Sequence, residues 1–533
     1  MDMKTMRTIE KASPLNKKSE GMMRIAIAFM FIAVVFVWTS LSHDGVANNT
    51  FLIIGAVFGA YMAMNIGAND VANNVGPAVG SGALTMFAAI IIAAIFEAGG
   101  ALIAGGEVVK TIKKGIIDPG MINDPQVFIW AMTAALLSAA VWLNFATYVG
   151  APVSTTHSIV GGVMGGGIAA AGFGIVAWGT MGKIAASWVI SPVLGGVIAA
   201  GFLYFIKTQI VHKEDMLENA KKIVPILIGI MTVAFATYLM LKGIKKIVKI
   251  DFPTALALGS AIGVAIYFVV KPLIAKASEK LENTKVSVNS LFTIPLIFAA
   301  ALLSFAHGAN DVANAIGPLA AINDAIMSGG EFGGKVGIPI WVMGVGAVGI
   351  AIGLALYGPK LIRTVGSEIT ELDQMRAFSI AMAAAITVII ASQLGLPVSS
   401  THIAVGGVFG VGFLREFLDN SETNFIRITR ERFKSNKKEL DKLEDEFNKL
   451  DNVEKKTKKE YQRILELIKL IEEKQEIVKE EKKEFKSAKK IKYVKRDAVK
   501  KIIAAWVITV PAAAFLSARS EERRVGKEGR SRW

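Results

Sequence analysis

Long apolar runs separated by short polar segments make up most of the chain from residue 22 onward. Most of these runs are near the length of roughly 18–20 residues that crosses the hydrocarbon core of a bilayer as a helix. The runs lie at 22–42, 51–68, 83–104, 127–149, 153–172, 184–206, 223–242, 253–275, 290–307, 336–358, 376–396, 398–418 and 500–518. This pattern predicts an all-α polytopic membrane protein with about 12–13 transmembrane helices.

Three motifs occur twice, which predicts an internal duplication. GANDVANNVGP at 67–77 returns as GANDVANAIGP at 308–318, and PVSTTHSIVGGVMG at 152–165 returns as PVSSTHIAVGGVFG at 397–410. KIAASWVISP at 183–192 returns as KIIAAWVITVP at 501–511, with roughly 73 residues more between the copies. The second repeat therefore carries an insertion of about that size.

The number of runs between the two copies predicts their orientation. Seven runs, an odd number, lead from the first motif-bearing helix to its counterpart, so complete crossings would place the two repeats in opposite orientations. Inverted repeats with interrupted helices and a midplane substrate site are common in secondary transporters. Basic residues in the N-terminal tail, in 207–222 and in 271–290 favour a cytoplasmic location for these segments.

The insertion has a different character from the rest of the chain. Apolar residues recur at helical spacing between Lys and Glu, which predicts a charged cytoplasmic helical hairpin or short coiled coil, either a solvated excursion or a regulatory or oligomerising element. The predicted segments are a cytoplasmic tail (1–21), an extra transmembrane helix (22–45), the first transport repeat (50–206), connecting helices (207–289), the second transport repeat (290–418), the inserted hairpin (419–499), the last helix of the second repeat (500–518) and a tail interpreted as non-native (519–533).

Carboxylates occur inside the apolar segments, where an Asp costs roughly 3 kcal/mol on insertion scales. Asp70 and Asp311 lie in the duplicated motif, next to Gly, Asn and Gly-Pro. A helix interrupted there would expose carbonyl groups, which together with Asp and Asn oxygens suit a hard monovalent cation such as Na⁺. Glu97 has no obvious twin, and we interpret it as an ion ligand, a proton relay or a partnered structural residue.

The second motif places hydroxyl groups at the start of a helix. In both copies a Pro precedes Ser and Thr residues, so hydroxyl and N–H donors would collect at the positive end of a helix dipole. Two such helix starts could hold a tetrahedral oxyanion, whereas hydroxyls bonded back to their own helix are the structural alternative. His157 and His402 follow these hydroxyls and could form a pH-sensitive contact or orient their neighbours.

Composition excludes several other classes of protein. The chain has no Cys, so disulfides, thiolate metal sites and a Cys nucleophile are absent. Its net charge of +15 comes largely from basic residues beside apolar spans, where they set topology and contact anionic lipid instead of nucleic acid. The run 22–42 is too long for a cleaved signal segment.

The twinned GANDVAN and PVS(S/T)TH motifs resemble the inorganic phosphate transporter (PiT) family, which symports phosphate with a cation. The resemblance covers roughly 50–418 and 500–518, and IFEAGG and SFAHGANDVANAIGP look closer to its sodium-coupled branch than to the proton-coupled permeases. It implies that Na⁺ is bound by Asn69, Asp70, Asn310 and Asp311. It also implies that phosphate is surrounded by Ser154, Thr155, Thr156, Ser399, Ser400 and Thr401, to which we add Asn73 and Asn314, while Glu97, His157 and His402 are candidates for coupling.

We therefore expect a secondary active transporter that imports inorganic phosphate by symport with Na⁺ across the cell membrane. A proton-coupled phosphate symporter and a permease for sulfate or another tetrahedral oxyanion are the alternatives. A channel usually lines its pore with rings from several copies, and the sequence has no HExxH spacing or nucleophile–base pair for an intramembrane enzyme. The expected partners are phosphate, Na⁺ as transported co-ion and membrane lipid, without organic cofactor or nucleic acid, and a homodimer is left open.

Overall fold

The structure is a computed structural model that describes residues 14–122, 124–151, 153–243, 250–328, 338–367, 372–422, 424–452, 455–488 and 496–530. Residues 1–13 of the predicted tail, Pro152 of the first hydroxyl motif and residues 531–533 lie outside the described residues. The helices are α1 (Pro14–Ser42), α2 (Asn49–Asn69), α3 (Val71–Gly80), α4 (Met86–Ala104), α5 (Gly106–Lys114), α6 (Pro125–Val149), α7 (Thr155–Ala171), α8 (Trp178–Ile206), α9 (Met216–Lys242), α10 (Phe252–Ser278), α11 (Lys285–Leu291), α12 (Thr293–Met327), α13 (Ile340–Ser367), α14 (Gln374–Gln393), α15 (Ser400–Glu422), α16 (Asn424–Asp451), α17 (Lys458–Ala488) and α18 (Arg496–Arg530).

The all-α membrane fold is confirmed, with eleven candidate spans in the described residues. The runs 153–172 and 398–418, which the sequence pattern counts as possible spans, are not among the eleven. Helix α7 has 17 residues, which at about 1.5 Å per residue falls short of a hydrocarbon core of roughly 30 Å. Helix α15 carries Arg415 and Glu416 near its end. Both helices begin within the hydroxyl motifs, at residues that are buried in the protein.

The interruption that the sequence predicts at both Asp residues is wrong for the second copy. Helix α12 continues from Thr293 to Met327 through Asp311 without a break. In the first copy only Asp70 separates α2 from α3, and its dihedral angles (φ −82°, ψ −37°) are still helical. The Asp70 N–H also bonds Ile66 O at 2.9 Å. Helices tolerate Gly and Pro here because neighbouring helices support them, so α12 contributes side-chain oxygens instead of carbonyls freed by a break.

Glycines bring the helices of the two repeats together in matching ways. A Cβ on Gly67 would lie 1.9 Å from the Ile350 carbonyl oxygen, so α2 and α13 contact each other through their backbones. The corresponding Gly308 would place a Cβ 2.2 Å from the Glu97 carbonyl oxygen, where α12 crosses α4. Small residues permit such close approach in membranes. Backbone contact at these two crossings therefore positions the Asp-bearing helices α2 and α12 against α13 and α4 in the same way.

Residues 412–495 form a second compact unit, separate from the unit of residues 1–411 and 496–533. Within it, α16 and α17 pair through Glu446–Arg463 (2.9 Å) and Glu439–Lys474 (2.6 Å). The residue numbers of the partners run in opposite directions, so the two helices are antiparallel. Lys474 lowers the pKa of the Glu439 carboxyl group, but exposed pairs of this kind contribute little stability.

Candidate functional site

The turns before α7 and α15 place both hydroxyl motifs in the interior. Gly150 and Gly395 end the preceding helices with φ angles of 77° and 66°, in the left-handed region that favours Gly. Ser154 then caps α7 by accepting from His157 N at 3.1 Å, and Ser399 caps α15 by accepting from His402 N at 3.2 Å. Two of the predicted phosphate ligands therefore also serve as helix caps.

Asn69 and Asn310 fix these turns in the same way. The Asn69 Nδ2 donates to Thr147 Oγ1 at 3.0 Å and to Ala151 O at 3.3 Å. The Asn310 Nδ2 donates to Ser392 Oγ at 3.0 Å and to Leu396 O at 3.3 Å. Their side-chain oxygens differ, because Asn69 Oδ1 accepts from Val153 N whereas Asn310 Oδ1 has no hydrogen-bond partner among the described residues.

Both Asp carboxylates accept hydrogen bonds from the hydroxyl motifs. Thr155 donates to Asp70 Oδ2 at 2.5 Å, and Thr401 of the other repeat donates to Asp70 Oδ1 at 2.9 Å. Ser400 donates to Asp311 Oδ2 at 3.0 Å, while Asp311 Oδ1 has no hydrogen-bond partner in the part of the chain that the structure describes. All five side chains are buried, so the carboxylates and hydroxyls share one site.

Asn73 and Asn314 connect the two repeats across this site. The Asn73 Nδ2 donates to Thr401 Oγ1 at 2.8 Å, and the Asn314 Nδ2 donates to Thr156 Oγ1 at 3.0 Å. Thr156 in turn donates to the Val398 carbonyl at 2.9 Å. The Oδ1 atoms of both Asn residues are buried and have no hydrogen-bond partner within the described ranges, so they could coordinate a cation or accept a hydrogen bond from a ligand.

Glu97 belongs to the same cluster through His307, which sequence reasoning did not identify. The His307 Nδ1 lies 2.7 Å from Glu97 Oε2, and its Nε2 lies 2.8 Å from Asp311 Oδ2. Asn74 donates to Glu97 Oε1 at 2.7 Å. Ligand atoms of Asp70, His307 and Asp311 all lie within 4.8 Å of one another, and all three residues are buried.

The equivalent helix crossing, between α2 and α13, is apolar. Gly67 contacts Ile350 as Gly308 contacts Glu97, so Ile350 is the counterpart of Glu97. The duplicated motif pairs Ile66 with His307 and Ala315 with Asn74. The two copies, MNIGAND and FAHGAND, differ at three positions, and His307 is the only ionisable residue among them, which could have identified it from the sequence. The cluster of Asn74, Glu97 and His307 therefore occurs at only one of the two equivalent helix crossings, that of α4 with α12.

His157 and His402 contact each other and two tryptophans. Their ring centroids are 4.4 Å apart, and each ring lies against one indole, Trp188 at 3.8 Å and Trp506 at 3.6 Å. Both His157 ring nitrogens and His402 Nε2 are buried without a hydrogen-bond partner in the described structure. Their observed surroundings are aromatic, and their backbone N–H groups hold the Ser caps.

This arrangement can bind a cation and an anion close together. Three buried carboxylates and one His face several acceptor oxygens that lack donors, which is an environment for a hard cation. The starts of α7 and α15 supply N–H groups that have no acceptor within the helix, which favours an anion. Neither the GANDVAN motif nor the PVS(S/T)TH motif contains Lys or Arg in either copy, so the positive charge needed beside an anion would come from bound cations.

Comparison with known proteins identifies relatives of this chain. The sequence profile of the phosphate transporter family matches residues 66–517. A Helicobacter pylori protein named "Putative phosphate permease" is 50% identical over 524 residues, covering 97% of this chain and 98% of that protein. A Pyrococcus abyssi protein of the same description is 42% identical, covering 68% of this chain and 89% of its own. The solved structure of "The sodium-dependent phosphate transporter" matches with 32% identity and a TM-score of 0.70, covering 89% of this chain and 98% of that chain.

Proposed function

The chain belongs to the phosphate transporter family, and we propose that it imports phosphate by symport with Na⁺ through alternating access to the site at the starts of α7 and α15. The observation that carries this proposal is the contact between carboxylates and hydroxyls, in which Asp70 accepts from Thr155 and Thr401. A multi-pass membrane protein of this family is a transporter and not an enzyme. Na⁺ is its proposed co-substrate and not a resident cofactor.

In the proposed coupling mechanism, the carboxylates and phosphate compete for the same hydroxyl groups, and Na⁺ weakens the hold of the carboxylates. In the structure, the hydroxyls of Thr155, Thr401 and Ser400 donate to the carboxylates. Na⁺ at the carboxylate and amide oxygens would neutralise the charge that holds those protons. The hydroxyls could then rotate to donate to phosphate, beside the N–H groups at the two helix starts. Each ligand would thereby raise the affinity for the other.

The same carboxylates favour phosphate over sulfate. Near neutral pH phosphate carries at least one O–H group, and a carboxylate such as Asp70 can accept a hydrogen bond from it. Sulfate has no proton to donate and would leave that acceptor unpaired. A site built to hydrogen-bond a ligand group discriminates strongly against an analogue that lacks it.

Proton coupling is a second candidate because Glu97 and His307 form a buried pair next to Asp311. Uptake of labelled phosphate into proteoliposomes, with Na⁺ and pH gradients imposed separately, distinguishes the two. We expect uptake driven by an inward Na⁺ gradient at constant pH, and competition by arsenate but not by sulfate. Uptake that follows only the pH gradient would replace Na⁺ by H⁺ in the proposal, and uptake with neither gradient would contradict symport.

A further inference from the structure

Helices α8 and α18, which carry the third duplicated motif, each pack against the helix that begins in the hydroxyl motif of the other repeat. A Cβ on Gly406 of α15 would lie 2.2 Å from the Pro192 carbonyl oxygen of α8. A Cβ on Gly165 of α7 would lie 2.2 Å from the Ala514 carbonyl oxygen of α18. Each repeat therefore supports the proposed phosphate site of the other through direct backbone contact.

The tryptophans of this motif, Trp188 on α8 and Trp506 on α18, differ in their hydrogen bonding. Trp188 Nε1 donates to the Pro397 carbonyl oxygen at 3.2 Å. Trp506 Nε1 is buried without a hydrogen-bond partner among the described residues. Both indoles pack against a histidine ring, at a centroid distance of 3.8 Å for Trp188 and 3.6 Å for Trp506. The ring packing is therefore common to both repeats, whereas the hydrogen bond from the indole distinguishes Trp188.

The acceptor of this hydrogen bond lies in the turn that leads to the second set of hydroxyls. Pro397 and Val398 immediately precede the hydroxyl residues 399–401. The Pro397 carbonyl accepts from Trp188. The next carbonyl, that of Val398, accepts from Thr156 at 2.9 Å. Because both donors belong to the first repeat, the two bonds fix the position of the second set of hydroxyls relative to the first.

Phosphate binding would affect these two bonds differently. A hydroxyl group has one proton, so Thr156 cannot donate to phosphate and to the Val398 carbonyl at the same time. The indole N–H of Trp188 is already used by the Pro397 carbonyl, and it need not move when phosphate binds. Binding of phosphate through Thr156 would therefore release Val398 and leave Trp188 as the remaining one of these two bonds.

We propose that Trp188 is a positioning residue for phosphate, which holds the second turn through the Pro397 carbonyl while Thr156 donates to the ligand. The inference rests on the function proposed above, because it assigns phosphate to the hydroxyl motifs. Trp188 acts through the turn and not by contact with phosphate. In the ligand-free protein Thr156 also holds the turn, so loss of the indole N–H affects the phosphate-bound state most.

Ligand binding by the purified full-length protein tests the proposal in wild type, Trp188→Phe and the matched control Trp506→Phe. Both substitutions keep an aromatic ring, but only Trp188→Phe removes an N–H that has a partner in the described structure. Inorganic phosphate is titrated calorimetrically in Na⁺, and Na⁺ affinity without phosphate is measured from the shift in melting temperature. We expect Trp188→Phe to weaken phosphate affinity by roughly fivefold and to leave Na⁺ affinity unchanged. Trp506→Phe should change neither.

Two results would overturn the proposal without touching the proposed function. The first is equal phosphate affinity in the two Phe variants. The second is a loss of Na⁺ affinity in Trp188→Phe by the same factor as the loss of phosphate affinity, which would indicate a general structural role. A wild-type protein that binds no phosphate in Na⁺ would instead refute the proposed function, and this inference with it.

A measurement on the wild type covers the case in which Trp188→Phe does not fold. The indole N–H signals of protein labelled with ¹⁵N-tryptophan are followed by NMR, and Trp188→His assigns the signal of Trp188. We expect the Trp188 N–H to stay protected from hydrogen exchange when phosphate and Na⁺ are bound. Faster exchange in the phosphate-bound protein would show that the bond to the Pro397 carbonyl opens on binding, which would contradict the proposal.

Discussion

Thr401 and Thr156 occupy equivalent positions in the two repeats, but only Thr401 donates its hydroxyl proton to a carboxylate. It donates to Asp70 Oδ1 and accepts from Asn73, both residues of the other repeat. Thr156 instead donates to a backbone carbonyl, that of Val398. The hydroxyl of Thr401 therefore links the proposed cation and anion sites directly. That of Thr156 is linked to the carboxylates only through neighbouring side chains.

Thr401→Ala should weaken phosphate binding by about tenfold to hundredfold, because it removes a charge-assisted hydrogen bond of roughly 1.5–3 kcal/mol. Thr401→Ser keeps the hydroxyl and serves as the matched control. Thr156→Ala should also weaken phosphate binding but should leave its response to Na⁺ more nearly intact. Phosphate calorimetry on the purified variants measures these effects. Equal affinity of Thr401→Ala and Thr401→Ser would remove this hydroxyl from the site.

The equivalent helix crossing, between α2 and α13, suggests how to test the pair of Glu97 and His307. Ile66 and Ile350 occupy the equivalent crossing, so an apolar pair fits this geometry. Glu97→Ile alone leaves His307 buried beside Asp311 and should cost about 3–5 kcal/mol of stability. Glu97→Ile/His307→Ile, combined with Asn74→Ala to copy Ala315, should recover part of that loss in thermal unfolding.

Transport separates a structural role from a functional role in the same variants. If the pair contributes to coupling, the triple variant should be stable but should lose the response of uptake to its driving ion. A triple variant with wild-type stability and wild-type uptake would make the pair a structural feature only. A triple variant no more stable than Glu97→Ile would contradict the assignment of Ile350 as the counterpart of Glu97.

At the level of helices, backbone contact at the glycines determines where the Asp residues lie. Gly67→Ala should displace α2 from α13, because its Cβ would lie 1.9 Å from the Ile350 carbonyl oxygen. Gly201 on α8 has open space around it and provides the control substitution Gly201→Ala. We expect Gly67→Ala to lower the melting temperature and weaken phosphate binding, and Gly201→Ala to change neither. A well-folded Gly67→Ala with normal binding would show that the crossing does not position Asp70.

The sequence predicts helix positions better than helix continuity. Apolar length indicates spans, and the duplicated motifs identify Asp70, Asp311 and the hydroxyl residues that the structure brings together. Local sequence does not reveal that α12 passes through Asp311 unbroken. The helix that packs against Gly308 is α4, more than two hundred residues away in the chain. The role of His307 likewise depends on a residue distant in the sequence, because its partner Glu97 lies in the other repeat.

Across the whole molecule, the odd number of runs between the copies predicts that the repeats are inverted. The chain has no Cys, so single Cys residues can report sidedness without background. Phe173→Cys follows α7, and Lys434→Cys follows the equivalent helix α15. Inverted repeats predict that a membrane-impermeant maleimide labels these two positions from opposite sides of the membrane. Labelling of both positions from the same side would mean that the repeats are parallel.

The central claim is that Na⁺ at the carboxylates releases hydroxyls for phosphate. The most direct measurement is the phosphate dissociation constant of the purified protein, determined calorimetrically in Na⁺ and in choline at constant ionic strength, for wild type and Asp70→Asn. The account predicts that Na⁺ tightens phosphate binding in the wild type by roughly 5- to 150-fold, the usual range of coupling between sites. In Asp70→Asn the neutral amide holds Thr155 and Thr401 less strongly, so Na⁺ should have a much smaller effect. Equal phosphate affinity in Na⁺ and choline for the wild type, or an unchanged Na⁺ effect in Asp70→Asn, would contradict the account.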